Sequence, residues 1–375
     1  MRAGLIVRWP IGGIRTYLRD LLADPSFVDV DFDIVLPKHD ESDSLAQGCT
    51  NPRVKWHFAP LDEGLSIYKV ALRVINGNRF DVLHSHGVTA SVISAGAMIR
   101  RRPPHLLTPH ETLNAADFQG RSGKVKHAVL AAALSRVDAI HCLTDQAREN
   151  LFQFFPGQRK RADRVRVIRH GIDISRFKSA GQRDMRTELG VPPDATLFGF
   201  LGRFMEAKGF DILIDAVELL VKRAQPVKPF VVLAVGYGGM VRENRRRVES
   251  SGLSSWFRFM DFVPDVAPIL KGIDVMVMPS RWEASGLLAM EAMVCGTPMI
   301  GTRCIGLSET LANTPARMAD PASPPSLAAA LEAALDDHQA TAAREFVAEA
   351  AKRFDSRNTF GMLRALYDEL AGSRR

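Results

Sequence analysis

An α/β fold with two doubly wound, Rossmann-like parallel-sheet domains facing each other across a cleft is what this sequence predicts, on three observations. Short apolar runs alternate with amphipathic helical stretches through the first half of the chain. The same alternation starts again after a polar, turn-rich connector, and 375 residues are enough for two domains, each with its own core. In the first half the strand candidates are Gly4–Arg8, Phe32–Leu36, Val54–Phe58, Val82–His84, Leu106–Thr108, Ala139–Cys142 and Val165–Ile168. Helical spacing of apolar residues marks Ile14–Leu22, Ile67–Asn76 and Val125–Leu134 between them. The connector runs from His170-Gly171-Ile172-Asp173 to Pro192-Pro193-Asp194. Beyond it, Leu197–Leu201, Phe230–Val235, Trp256–Phe259, Val275–Met278 and Met299–Gly301 read as strands, and Pro324–Leu335, Ala340–Arg353 and Thr359–Leu370 as closing helices. The expected domains are residues 1–175 and 176–355, with a last helix in 356–375 crossing back to the first.

The hydrophobic fraction of 46% is that of a soluble globular protein, and no apolar run approaches the roughly 20 residues of a membrane-spanning helix. Arg8 interrupts the first apolar run too early for a signal peptide, so a cytoplasmic location is expected. Cys49, Cys142, Cys295 and Cys304 form no CxxC pair and read as thiols in a reducing compartment. The net charge of +7 is uneven. Residues 1–175 hold 24 Lys and Arg against 18 Asp and Glu, whereas the remainder holds 25 against 24. Arg100-Arg101-Arg102, Lys124-Val125-Lys126 and Arg159-Lys160-Arg161 carry much of the excess. Such clusters suit an anionic bilayer face, a diphosphate-bearing acceptor or solvated loops; nucleic-acid binding would rest on charge alone and is not expected.

Chemistry concentrates in Pro279-Ser280-Arg281-Trp282-Glu283-Ala284-Ser285-Gly286-Leu287, where a buried strand ends and a helix opens near Ser285. A helix N-terminus presents free N–H groups and a positive dipole end, and attracts a phosphate. Glu291 falls about 9 Å further along that helix at ~1.5 Å per residue, the distance of a ribose from a diphosphate at the tip. Two solvated glutamates on a β-loop-α unit are the plainer reading. A second strand-loop-helix unit, Leu201-Gly202-Arg203 through Lys208-Gly209-Phe210, holds two cations at the strand's C-terminal end, where open α/β sheets bind ligands. Arg203 and Lys208 both suit a diphosphate, and a helix start disfavours cations that serve no anion. Gly12-Gly13, between the first strand and helix, allow close backbone approach of an anion or simply a tight turn, and they are not a GxGxxG fingerprint.

Leu201-Gly202-Arg203, Lys208-Gly209, Asp274-Val275, Pro279-Ser280, the Glu283/Glu291 pair and Cys295-Gly296-Thr297-Pro298 resemble, in order and spacing, the retaining glycosyltransferases of family 4 (glycosyl transferases group 1), which have the GT-B fold. Gly12-Gly13, Asp81-Val82-Leu83-His84-Ser85-His86-Gly87, and Gly171-Ile172-Asp173 with Arg176-Phe177 are also similar to family segments. The resemblance implies a nucleotide-sugar donor, with UDP- or GDP-sugar the expected substrate and no separate cofactor or metal. It implies that Arg203 and Lys208 grip the diphosphate, that backbone N–H groups around Gly286 and Leu287 face it, and that Glu291 holds the ribose. By the same resemblance Glu283 and His110 would lie near the transferred sugar, Gly12 and Gly13 would close over the donor from the opposite domain, and Val263 would contact the base through its main chain. The catalytic set so implied is Glu283, His110, Arg203 and Lys208. Departures are Ser285 for a common aromatic residue, Ile305 for one glycine of a Gly-Gly turn, His170 for asparagine and Glu111 for glycine.

Two motifs point elsewhere. Asp29-Val30-Asp31-Phe32-Asp33 contains the DxD metal signature of the other main glycosyltransferase fold, but leads into an alternating strand. His84-Ser85-His86 has metal-ligand spacing without an obvious third ligand, and reads as a strand end. The expected reaction is metal-independent sugar transfer, with retention, to a glycan or polyprenyl-diphosphate-linked acceptor. It would serve cell-envelope polysaccharide or glycolipid synthesis, with the protein peripheral on the inner face of the membrane. A sugar-nucleotide epimerase or phosphorylase on the same fold, or a non-catalytic subunit of a polysaccharide assembly complex, are the alternatives.

Overall fold

The computed structural model describes residues 1–61, 65–222 and 228–373. The chain divides into two compact units, Met1–His170 with Ser356–Arg375, and Gly171–Asp355. Among the described residues no helix is long and apolar enough to cross a membrane.

The first unit is built on seven parallel strands: β1 (Arg2–Val7), β2 (Asp31–Pro37), β3 (Val54–Ala59), β4 (Val82–His86), β5 (His105–Thr108), β6 (Ala139–Cys142) and β7 (Val165–Val167), in the order β3-β2-β1-β4-β5-β6-β7. Helices cover both faces, so on the central strands apolar side chains of both orientations are buried. Ala3, Leu5 and Val7 of β1 enter one cluster and Ile6 the opposite one. That double burial is why these strands read as continuous apolar runs. The C-terminal helix Ser356–Gly372 buries Phe360, Leu363, Leu366 and Tyr367 in the cluster that also holds Tyr17 and Phe27.

The second unit has six parallel strands: β8 (Thr196–Leu201), β9 (Phe230–Val235), β10 (Phe257–Met260), β11 (Val275–Met278), β12 (Met299–Thr302) and β13 (Arg317–Ala319), in the order β10-β9-β8-β11-β12-β13. Met276 and Met278 of β11 pack on one face, Val275 and Val277 on the other. Asp274 anchors the start of β11: it accepts from the Leu197 N–H at 2.6 Å and pairs with Arg186.

Sequence and structure differ in places. Strand β13 was not expected, because Arg317-Met318-Ala319 contains no apolar run. The connector is partly helical, over Ile174–Ser179 and Met185–Leu189, each capped by an aspartate, Asp173 and Asp184. The helix expected near Ser285 begins at Leu287, since Gly286 takes a left-handed conformation (φ 71°) as its N-cap.

Candidate active site

In each sheet the chain reverses its direction of strand addition once, between β8 and β11 in the second unit and between β1 and β4 in the first. Ligands of open α/β sheets bind outside the strand C-termini at such a switch point. The loops after β8 and β11 carry Arg203, Lys208 and Glu283, so residues some 75 positions apart meet because their strands are neighbours. Lys208 Nζ lies 2.6 Å from Glu283 Oε1, and the Ser280 hydroxyl donates to the same oxygen at 2.9 Å. Oε2 of Glu283 makes no hydrogen bond among the described residues. The carboxylate is thus oriented through one oxygen while the other stays available.

Several bonds lock these loops together. Arg281 N–H donates to the Ala207 carbonyl at 2.8 Å, and the Arg281 guanidinium forks onto Asp211 at 2.8 and 2.6 Å. That fork holds the Asp211 carboxyl below the usual carboxylate range. The Phe204 N–H donates to the Tyr237 carbonyl at 2.8 Å and fixes the loop that presents Arg203, whose guanidinium makes no ion pair among the described residues. On the other side, Glu283 N–H donates to the Ile305 carbonyl at 3.1 Å, and Thr310 Oγ1 to the Ser285 carbonyl at 2.5 Å.

The helix Leu287–Cys295 starts at Gly286 without a side-chain cap, and an N-terminus of this kind is where a helix can take an anion. Glu291 sits half-buried on this helix. Val263 follows β10, two strands from β8, and packs its side chain against the core. Burial pushes the Cys295 thiol up to about 12 and Cys304 to about 11, which keeps both protonated and inert.

In the first unit, Gly12 (φ 58°) is the N-cap of the helix Gly13–Ala23, again with no side-chain cap. One turn in, Tyr17 packs its ring edge-on to His110 at 4.9 Å, so the glycine turn and His110 belong to one local structure. His110 follows β5 in a left-handed conformation (φ 59°), unusual for a residue with a side chain. His86, at the end of β4, lies with Nδ1 2.9 Å from His110 Nε2. Burial lowers His86 to about 3 and His110 well below the ordinary histidine value, so both rings are neutral. Glu111, at the position where glycine is frequent, accepts from Val88 N–H at 3.3 Å and caps the helix Val88–Ala97.

The two misleading motifs resolve structurally. Asp31 and Asp33 lie in β2, where Arg2 and His57 bind Asp33, and Asp29 pairs with Arg364. His84 and His86 lie in β4, but the fold adds His105, His110 and His141 around them, which their sequence separation concealed. Among the described residues no group of three His, Cys, Asp or Glu side chains has metal-holding geometry. Residues the sequence left without a role are Tyr17, His86, Ser280 as the anchor of Glu283, and Thr310. Only Ser280 had a local signal, a hydroxyl three positions before the carboxylate.

A family profile described as Glycosyltransferase Family 4 matches residues 11–176, and one described as Glycosyl transferases group 1 matches residues 195–337. The chain belongs to the family 4 glycosyltransferases. The first match contains Gly12, Gly13 and His110; the second contains every site residue expected in the second unit. D-inositol 3-phosphate glycosyltransferase of Corynebacterium jeikeium is 28% identical over 318 residues, 80% of this chain and 75% of that protein. 2-Deoxystreptamine N-acetyl-D-glucosaminyltransferase of Streptomyces fradiae is 31% identical over 62% of this chain and 57% of its own length. The crystal structure of Anabaena HepE in complex with UDP and glucose superposes with a TM-score of 0.82 at 20% identity, covering 98% of this chain and all of that one. The fold of this glycosyltransferase is GT-B.

Proposed function

We propose that this glycosyltransferase moves a sugar, with retention and without a metal, from a UDP- or GDP-sugar to a glycan or lipid-linked acceptor. The observation that carries the reading is the Lys208–Glu283–Ser280 cluster beside the uncapped start of the helix Leu287–Cys295, at the switch point of the second sheet. Breaking the bond between sugar C1 and the diphosphate oxygen puts negative charge on that oxygen and oxocarbenium character on the sugar. Fixed positive groups aimed at the leaving oxygen stabilise this transition state more than the ground state. Arg203, Lys208 and the N–H groups at Gly286 and Leu287 supply them, and Glu291 holds the ribose. Glu283, held by Lys208 and Ser280, turns its second oxygen to a donor hydroxyl and stabilises the cationic ring. A new bond forms from the acceptor oxygen to C1 on the face the phosphate leaves, and the acceptor's proton passes to the departing phosphate. His110 orients the sugar or acceptor, Val263 meets the base through its main chain, and Gly12-Gly13 let backbone approach the donor.

A bound donor stabilises the folded state by mass action, by about 2.7 kcal/mol at a hundred times Kd. Thermal melting with UDP-, GDP- and ADP-sugars should therefore raise Tm by several degrees for one base class. No shift with any nucleotide sugar would remove the donor assignment.

The acceptor reading is lipid-linked, within cell-envelope polysaccharide or glycolipid synthesis, with the protein cytoplasmic and peripheral to the membrane. The 16-residue helix Gly120–Ser135 supports it: Arg121, Lys124 and Lys126 are interleaved with exposed Val125 and Val129. Basic and apolar residues together suit an anionic interface. Flotation with phosphatidylglycerol vesicles should recover the protein, less so at high salt, and equal recovery without vesicles would count against the assignment.

A further inference from the structure

Under Tyr17, one face of the first sheet carries a row of polar side chains, His84 and His86 on β4, Thr108 on β5 and His141 on β6. His141 Nε2 lies 2.9 Å from the Ile168 carbonyl, which only accepts, so this nitrogen carries the proton. His141 Nδ1 is then an acceptor and takes the Thr108 hydroxyl proton at 3.0 Å. With its single proton committed, Thr108 Oγ1 accepts from His84 Nε2–H at 2.7 Å, and His84 Nδ1 accepts from the Tyr367 hydroxyl at 2.8 Å. The run Tyr367–His84–Thr108–His141–Ile168 is thereby polarised in one direction, each ring a single neutral tautomer assigned from the network.

His86 stands beside this run, its ring 4.0 Å from that of His84, and meets His110 across 2.9 Å. Its Nε2 is buried and has no hydrogen-bond partner among the described residues. Two arrangements are open to a neutral pair. If His110 donated, His86 would bury an unmade N–H; if His86 donates, it buries only an unused lone pair. Orphaned buried N–H groups are the rarer and costlier case. The second arrangement leaves His110 with a bare Nε2 facing His86 and a proton on Nδ1, a nitrogen that makes no hydrogen bond among the described residues, on a residue that keeps part of its surface exposed. Packing holds the pair in place: the rings stack at 5.2 Å, Tyr17 braces His110, and the left-handed backbone at His110 sets where its ring projects.

We propose that His86 is a positioning residue that donates its Nδ1–H to His110 Nε2, fixing His110 as the Nδ1–H tautomer so that it offers an oxygen of the sugar or acceptor a neutral hydrogen-bond donor. The assignment rests on the reading of His110 as a substrate-facing residue. His110 therefore acts neither as acid nor as base. The charged or titratable side chains packed around the pair are His84, His141, His170 and Tyr17.

Histidine ring NMR on the full chain labelled with ¹⁵N-histidine tests this directly, with the His110 signal assigned by its loss in His110→Gln. Expected are a protonated Nδ1 and a bare Nε2 on His110, unchanged from pH 6 to 8. A protonated Nε2, or titration of His110 in that range, overturns the proposal. His86→Phe keeps a ring but removes the donor, and should release His110 from the Nδ1–H form; His86→Asn places an amide N–H near the lost one and should restore it. With the nucleotide sugar selected by the melting panel, kcat/KM should fall roughly tenfold or more in His86→Phe and recover most of that in His86→Asn. Equal loss in both variants overturns the positioning role, leaving a purely structural histidine. Full activity in His110→Gln would overturn the substrate-facing reading of His110 while the tautomer measurement stands by itself.

Discussion

Glu283 is held at one oxygen by a cation and a hydroxyl, Lys208 at 2.6 Å and Ser280 at 2.9 Å, with Ser280 fully buried and its own carbonyl accepting from Thr302 Oγ1 at 2.5 Å. A carboxylate gripped in this way has its direction set before substrate arrives, which is where electrostatic stabilisation gains most. Lys208→Ala and Glu283→Ala should each lower kcat/KM by about a hundredfold or more. The stability change should stay near 1–2 kcal/mol, because the Lys208 side chain is partly exposed. Steady-state kinetics beside urea unfolding separates the two effects, and unchanged kinetics in either variant would remove the assignment. The carboxylate and the cation were both legible in the sequence through their place in motifs. Their pairing was not, because it depends on β8 and β11 being neighbours. Tyr17, His86 and His110 were still less legible as a group: they come from three separate segments, and nothing in their local spacing marks a shared site.

Between elements, two glycines interlock the loops: Gly209 joins the loop after β8 to that after β11, and Gly306 joins the loop after β12 to that after β11. A Cβ at Gly209 (φ 64°) would stand 2.1 Å from the Pro279 carbonyl oxygen, and one at Gly306 (φ 79°) would stand 2.3 Å from that of Glu283. Neither obstacle is a flexible side chain, and both backbones are left-handed, so alanine at either position forces the loops apart. Each substitution should cost about 1–3 kcal/mol in urea unfolding. Gly306→Ala should also reduce turnover more than its stability loss explains, since it displaces the main chain of Glu283. Activity that follows the folded fraction alone would show that Glu283 tolerates the shift. Gly306 is the surviving glycine of the expected Gly-Gly turn, and Ile305 is tolerated beside it because there the Glu283 N–H needs only a carbonyl, which any residue supplies. The strands were legible because burial on both faces writes them as apolar runs. Strand β13 and the two connector helices lack that signature: one is a three-residue edge strand and the helices are short segments begun by aspartate caps.

At the scale of the whole molecule, the two units have sheets of like design but different interiors. The second is filled by Phe, Met, Val and Leu, whereas the first buries His84, His86, His105 and His141 completely and packs His110 against them. Burial lowers His105 and His141 to about 4, His86 to about 3, and His84 well below its ordinary value. These rings are neutral in the fold, while in the unfolded chain each binds a proton below about pH 6.5. Their contribution is therefore fully present above pH 6.5 and is lost as pH falls from there toward 4, by about 1.4 kcal/mol per pH unit for each histidine. His105 and His141 alone remove about 3 kcal/mol between pH 6.5 and 5, a large part of the roughly 5–15 kcal/mol that holds a domain folded. Acid titration followed by amide NMR should show first-unit resonances disappearing at a higher pH than those of the second unit. His105→Gln, which keeps a hydrogen-bonding partner for Ser85 now met by His105 Nε2 at 2.8 Å, should flatten the first unit's pH dependence by about one proton. Loss of both units at one pH, or an unchanged slope in that variant, would mean that the buried histidines do not set the acid limit of the fold.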